Sequence, residues 1–264
     1  MESEAVIRLT LFLGLFALFA ALEAWWPKRA RVQPRQSRWL TNWSLVVIDT
    51  ALLRLFAVAA PLLAIGAAID AGRLGWGLFN QIALPQWLEI VLAVAILDLA
   101  IWAQHVAMHK VPLLWRLHRV HHADRDMDVT TAIRFHPLEI AVSIAIKIAL
   151  VYALGPAALA VLIFEIVLNG TAMFSHANLA LPARVERALR WVLVTPDMHR
   201  IHHSVDRVEH DTNYGFALSV WDRLFSTYTA DPAAGHQGMT VGLRWQDDRP
   251  ARLGWSLRLP FRPL

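Results

Sequence analysis

The sequence predicts an all-α integral membrane bundle, with about three spans plus a helical hairpin and a cytoplasmic histidine-rich helical cap. Three observations carry this. Hydrophobic residues make up 56% of the 264 positions and charged residues 17%, too apolar for an ordinary soluble domain. The apolar residues gather into segments of bilayer-spanning length, separated by basic loops or by a Gly-Pro dipeptide. Histidines recur at three- and four-residue spacing in three short motifs, which puts their imidazoles on one face of a helix.

Residues 5–26 form the first apolar run and end at Trp25 and Trp26, an interfacial pair. They read as an anchor rather than a signal peptide, because Glu2 and Glu4 outweigh Arg8 where a basic n-region belongs. Lys28, Arg29, Arg31, Arg35 and Arg38 then form a basic loop expected on the cytoplasmic side. A second apolar segment covers 42–69, and its Asp49 and Arg54 are expected to face other helices. A loop over 70–84 with one arginine, Arg73, follows. The third span, 86–108, delivers His105 and His109 at its end.

Residues 110–136 are polar and basic, so they return to the cytoplasmic face. Segments 137–154 and 157–176 meet at Gly155-Pro156 and form the hairpin. An amphipathic piece at 183–194 is expected along the interface, and the last thirty or so residues read as a loose tail. The chain is thus one unit: anchor helices at 1–84, a core at 85–230 and a tail at 231–264. An odd number of spans before residue 110, then one hairpin, places every histidine motif on the same face.

The motifs are HxxxH at 105–109 and HxxHH at both 118–122 and 199–203. With 12 histidines in 264 residues, HxxHH arises by chance at about one position in ten thousand. Two copies beside an HxxxH are therefore a constellation. His105, His109, His118, His121, His122, His199, His202 and His203 exceed what a structural zinc needs and suit a dinuclear centre with open positions. Imidazole alone does not choose among zinc, copper, iron and nickel.

Other chemistries drop out. There is no cysteine for thiolate sites or disulfides, and Val106 stands where a zinc protease carries its glutamate. Haem needs one or two axial histidines rather than triplets. A P-loop, a Rossmann fingerprint and a serine elbow are absent, and no basic stripe interleaves with aromatics for nucleic acid.

Around the motifs the sequence leaves roles open. His136 can cap the helix that starts at Pro137 or support a metal ligand; Asp197 can orient an imidazole or cap its helix. Asp98, seven residues before His105, can partner an imidazole or pack between helices. His210 and His236 are expected to be exposed, and Trp221 and Phe225 to be core. Arg119, Arg200 and Arg207 are expected on a solvated face. A membrane metal-binding or metal-transport protein is the alternative function. It would need polar residues lining a path, and Asp49, Asp98, Glu139, Lys147 and Glu165 are scattered. A third reading is an interaction protein with a structural metal.

The motifs resemble those of the fatty acid hydroxylase superfamily, which includes sterol desaturases and sterol C4-methyl oxidases. Phe135-His136-Pro137-Leu138-Glu139, Thr195-Pro196-Asp197-Met198, Asn213-Tyr214-Gly215 and Trp221-Asp222-Arg223-Leu224-Phe225 match as well, so the resemblance runs from about 90 to 230. It implies a membrane di-iron oxygenase that hydroxylates or desaturates a lipid with O2. Two electrons would come from NAD(P)H through a separate donor, cytochrome b5-like or ferredoxin/reductase. Position by position it makes the eight histidines iron ligands and adds His176. Ala172 stands where some relatives carry a further histidine, leaving water or Asn169 for that place. The absence of cysteine and the many Ala, Leu and Arg residues point to a bacterial inner membrane.

Overall fold

The computed structural model describes residues 2–59 and 63–263, with side chains for 6–55 and 63–263. Among these residues the protein is helical throughout, with only three isolated β-bridges. Helices α1 (Glu2–Trp25), α2 (Arg35–Ala59), α3 (Ala64–Leu74), α4 (Gln86–Lys110), α5 (Pro112–His122), α6 (Pro137–Leu154) and α7 (Ala158–His176) make the bundle. Short helices α8 (Ala183–Leu189), α9 (Pro196–His202), α10 (Arg207–His210), α11 (Val220–Leu224), α12 (Gly235–Gly238) and α13 (Leu253–Arg258) complete the cap.

Four described helices, α1, α4, α6 and α7, are long and apolar enough to cross a membrane. Their outer faces expose Leu9, Leu13, Leu18, Trp87 and Val91, which an aqueous surface would penalise and a bilayer accepts. Helix α7 is the central one and packs against α1, α3 and α4. Inside that surface, Phe164 of α7 meets Leu97 and Ile101 of α4, while Met173 meets Phe16 of α1.

The second apolar segment is not one span. Helix α2 begins at Arg35, before the apolar stretch, and α3 is a separate helix over Ala64–Leu74; the junction at 60–62 lies outside the described residues. Arg38, at the start of α2, binds the loop behind α5, whereas Trp76, just past α3, packs against Tyr152 near the α6–α7 turn. Residues 35–59 and 63–76 thus reach opposite ends of the bundle as two helices, and neither is among the helices long and apolar enough to cross a membrane. Asp49 is buried as expected, but Arg54 is exposed. Five residues advance a helix by about 500°, so positions 49 and 54 cannot share a face.

Tight turns fix the chain at the far end. Gly155 ends α6 in the left-handed region at φ +62°, and a Cβ there would lie 2.2 Å from the Trp76 carbonyl oxygen. At the histidine end, α5, α6 and α9 each start with proline at the first position, where no amide donor is lost. Thr195 caps α9 by accepting the Met198 amide.

A buried polar network ties α2 to the cap. Arg38 donates to Asp124 at 2.6 and 2.7 Å and to Asp128 at 2.6 Å, and Asn42 joins Asp124 to Thr130. Arg134 reaches the Val120 carbonyl, the Asn42 side chain, the Pro250 carbonyl and the Ser256 hydroxyl.

The C-terminal residues are therefore not a loose tail. Trp255 and Leu259 pack on Leu45, Val120 and Ala123, and Arg119 donates to the carbonyls of Leu259, Arg262 and Pro263. An Arg- and Pro-rich segment makes few regular hydrogen bonds of its own, and buried arginines elsewhere use its free carbonyls.

Gly155→Ala should lower the detergent-solubilised melting temperature well beyond Gly75→Ala. Both place Ala at positive φ, at about 1–2 kcal/mol, but only Gly155 meets backbone. Arg38→Met, which strands Asp124 and Asp128 in the interior, should cost about 3–5 kcal/mol in denaturant titration.

Candidate metal centre

Four helix ends bring histidines to one place. The last two turns of α4 carry His105 and His109, α5 carries His118, His121 and His122, and α7 ends on His176. Helix α9 carries His199 and His202, with His203 as its C-terminal cap. All nine are buried. Their nitrogens form two groups, His105, His109, His118, His122 and His202 in one and His121, His176, His199 and His203 in the other. Within each group the candidate ligand atoms all lie within 4.8 Å of one another. The two meet where the rings of His122 and His203 stack, with centroids 4.4 Å apart.

The far side of five rings fixes their tautomers. Nδ1 of His105 donates to the Tyr214 carbonyl at 2.7 Å, and Nδ1 of His118 to Glu139 at 2.6 Å. Nδ1 of His121 donates to the Arg134 carbonyl at 3.2 Å, that of His176 to Ala172 at 2.7 Å, and that of His202 to Thr212 at 2.8 Å. A carbonyl oxygen only accepts, so the neutral rings of His105, His121, His176 and His202 have their hydrogen on Nδ1 and a bare lone pair on Nε2. His118 does so while Glu139 is ionised.

Those lone pairs point at one another. Nε2 of His105 lies 3.0 Å from that of His118, and Nε2 of His176 lies 3.1 Å from that of His121. Nε2 of His199, whose Nδ1 has no partner among the described residues, lies 3.0 Å from that of His176 and is free to take either tautomer. Two acceptors at such a distance repel unless a cation lies between them. Protonation is disfavoured: burial drives His118 down to about 3, and burial with neighbouring imidazoles holds His121 and His199 well below their usual range. A metal ion resolves the conflict. Imidazole nitrogens about 2.1 Å from a metal and at right angles stand about 3.0 Å apart. The nitrogens of His122 and His203, and Nε2 of His202, are buried with no hydrogen-bond partner. The residues present therefore fit metal ions in both groups.

Four residues considered as supports for the ligands are occupied elsewhere. His136 caps α6 by accepting the Leu138 amide, and its other nitrogen meets the Leu257 carbonyl. Asp98 accepts from the Ala217 and Leu218 amides and from Trp221 Nε1. Asp197 pairs with Lys28 and Arg200 at 2.6 and 2.5 Å. The Asn169 amide donates to the Glu165 carbonyl in its own helix. In each case a nearer backbone or charged partner takes the group.

Residues that do support the histidines were not evident from the sequence. Glu139 stood among scattered acids, and only the fold brings it beside His118. Asp222 accepts from the Tyr214 and Gly215 amides and so aims the Tyr214 carbonyl at His105. Arg134 sets the carbonyl that holds His121. His210 is not exposed and unrelated: its ring centroid lies 5.2 Å from His109 and 5.0 Å from Trp115. Arg119 and Arg200, the second residues of the two HxxHH motifs, are buried clamps; only Arg207 of that trio is exposed.

This is a membrane-type helical bundle with nine buried histidines at one end, in two groups that fit metal ions. The family of fatty acid hydroxylases matches residues 90–227, just over half of the chain, and the protein belongs to that family. Among curated proteins it is 30% identical to the ornithine lipid hydroxylase OlsE of Rhizobium tropici over 148 residues, covering 56% of this chain and 44% of the relative. It is 28% identical to the alkylglycerol monooxygenase of Xenopus tropicalis over 171 residues, 62% of this chain and 36% of that one. The human alkylglycerol monooxygenase is 31% identical over 137 residues, 52% of this chain and 29% of that one. The chain spans less than half the length of these relatives. No solved structure matches it.

Glu139→Gln should lower metal affinity about 10–100-fold, because a weaker acceptor then holds His118. Iron retained after dialysis against a graded chelator reads this directly.

Proposed function

We propose that this chain is a membrane-bound di-iron oxygenase that uses O2 and two electrons to hydroxylate or desaturate a C–H bond of a lipid. The observation that carries it is the pair of histidine groups with opposed, unprotonated Nε2 atoms. Family membership favours iron, and the hydroxylase and monooxygenase relatives favour a lipid substrate. His105, His109, His118, His122 and His202 would hold one ion; His121, His176, His199 and His203 would hold the other. Iron at these positions would supply dioxygen activation.

The chain's own residues do the rest. Tyr214, Glu139, Arg134, Ala172 and Thr212 keep five Nε2 lone pairs free and aimed. Burial of all nine rings excludes water. An apolar groove of about 760 Å³, lined by Leu114, Leu117, Val142 and Phe261, runs along the first turns of α6 and suits an acyl chain. Residues 85–230 would carry the catalytic core and 1–84 the anchor, a division supported by the family match at 90–227. A cytoplasmic site in a bacterial inner membrane is supported by the basic loop, whose Lys28 and Arg29 bind Asp197 and the Met239 carbonyl beside the histidines. Electrons from NAD(P)H would arrive through a separate cytochrome b5-like or ferredoxin/reductase donor.

The transport reading is not favoured, because four of the five charges that would line a path, Asp98, Glu139, Lys147 and Glu165, are engaged and only Asp49 lacks a partner among the described residues. Glu165 pairs with Arg8 at 2.8 Å and with Lys147 at 3.2 Å, Glu139 holds His118, and Asp98 binds backbone amides.

Metal analysis and Mössbauer spectra of protein purified anaerobically and reconstituted with iron test the proposal. Two irons per chain are expected, with iron and lipid oxidation lost in His121→Ala and in His202→Ala. One zinc, no redox-active metal, or full activity in both variants would sink it. Metal uptake into proteoliposomes would revive transport.

A further inference from the structure

A second concave site lies against the metal centre and is chemically unlike the apolar groove. It is a pocket of about 570 Å³ whose wall includes His109, Lys110, Trp115, Arg207, Arg244 and Trp245. Arg119 lies on its floor, with its guanidinium turned to the C-terminal carbonyls. Three cationic side chains, Lys110, Arg207 and Arg244, thus surround one small volume. Among the described residues the only carboxylate paired with any of them is Asp211, which Lys110 meets at 2.8 Å and Arg207 at 3.7 Å. Arg244 is exposed. The local balance is strongly positive, so the pocket attracts an anion and disfavours a metal cation.

Its depth narrows the source of that anion. Lys110 is the last residue of α4, one of the membrane-crossing helices, and Pro112 opens α5 immediately after it. The pocket therefore begins where a span leaves the bilayer, on the face that carries the histidines. Tryptophan and cationic side chains are the residues that sit at head-group level. A pocket of this size fits a small polar group rather than a protein surface, which would need a far larger and flatter contact. His109 forms part of the wall, so an amphiphile held here would have its first carbons beside the metal ligands.

We propose that this pocket binds the anionic head group, phosphate or carboxylate, of the amphiphilic substrate. The proposal rests on the oxygenase reading for the word substrate, but binding itself does not depend on iron chemistry. Arg244 and Arg207 would contact the oxyanion, while Trp115 and Trp245 would flank the linkage between head and chain. Asp211 would hold Lys110 and Arg207 at the rim in the absence of ligand.

The test compares two lipids that differ only in a phosphate, 1-oleoyl lysophosphatidic acid and 1-monooleoylglycerol. Binding to the iron-loaded, detergent-solubilised full chain is measured by native mass spectrometry and by equilibrium titration. The phosphate lipid should bind about tenfold or more tighter, and an Arg207→Gln/Arg244→Gln double variant should lose most of that preference while keeping its iron. Millimolar inorganic phosphate should compete weakly. Competition by phosphate as strong as by the lipid would show a free-anion site and overturn the proposal. Equal binding of both lipids, or a double variant that keeps the preference, would overturn it too. So would a double variant altered only in its reduction by an acidic electron donor. Turnover with a neutral lipid as the better substrate would remove the head-group pocket and leave the oxygenase standing. Selective phosphate-lipid binding by a chain that never takes up iron would do the reverse.

Discussion

Nine buried imidazoles, with Nε2 of His105 facing that of His118 and Nε2 of His121 facing that of His176 at about 3 Å, are the constraint on which the rest depends. A core of that kind is unfavourable by itself, since buried acceptors lack donors and burial prevents protons from supplying them. The fold accepts it because metal ions can take up the lone pairs, and because acceptors behind five of the rings fix which nitrogen faces inward. Metal binding at these groups would therefore be linked to folding of the cap. The nine histidines come from helix ends well separated along the chain.

Holding such a centre requires rigid neighbours, and much of the cap serves that purpose. Arg38, Asp124, Asp128, Asn42 and Arg134 form a dry ionic network that joins the first turn of α2 to the loop between α5 and α6. The Arg134 carbonyl at its end meets His121. On the opposite side Asp222 anchors the Tyr214 strap whose carbonyl meets His105. Buried ion pairs contribute little net stability against apolar packing, but losing one partner is costly, so they hold the loops in a single arrangement.

Two recesses of opposite chemistry flank the histidines. An apolar groove follows the membrane-facing start of α6, and a cationic, tryptophan-flanked pocket opens at the end of α4. Helix α5 contributes residues to both and carries three of the histidines on its buried side. One amphipathic helix therefore joins the apolar groove, the polar pocket and the buried histidines, and small shifts of it would be felt at all three.

The sequence by itself determined the helical membrane architecture, the common face of the histidine motifs and the family. Those properties are local or additive: hydropathy accumulates over a span, and i, i+3 and i, i+4 spacing sets a helix face. It brought His105 through His203 forward by spacing and His176 by resemblance. Other features depended on tertiary structure. The partition of nine histidines into groups of five and four, and the roles of Glu139, Asp222 and Arg134, are contacts between residues distant along the chain, for which no local pattern exists. The same holds for the C-terminal segment: its Arg, Pro and Gly residues carry no periodicity, and its order comes from arginines of α5 and the following loop that need its carbonyls. Capping and pairing of His136, Asp98 and Asp197 were decided by which partner lay nearest after folding, and burial of Arg119 and Arg200 by how α5 and α9 packed. The tertiary structure alone also set the cationic pocket beside His109, since its walls come from α4, α5, α10 and the loop at 242–245.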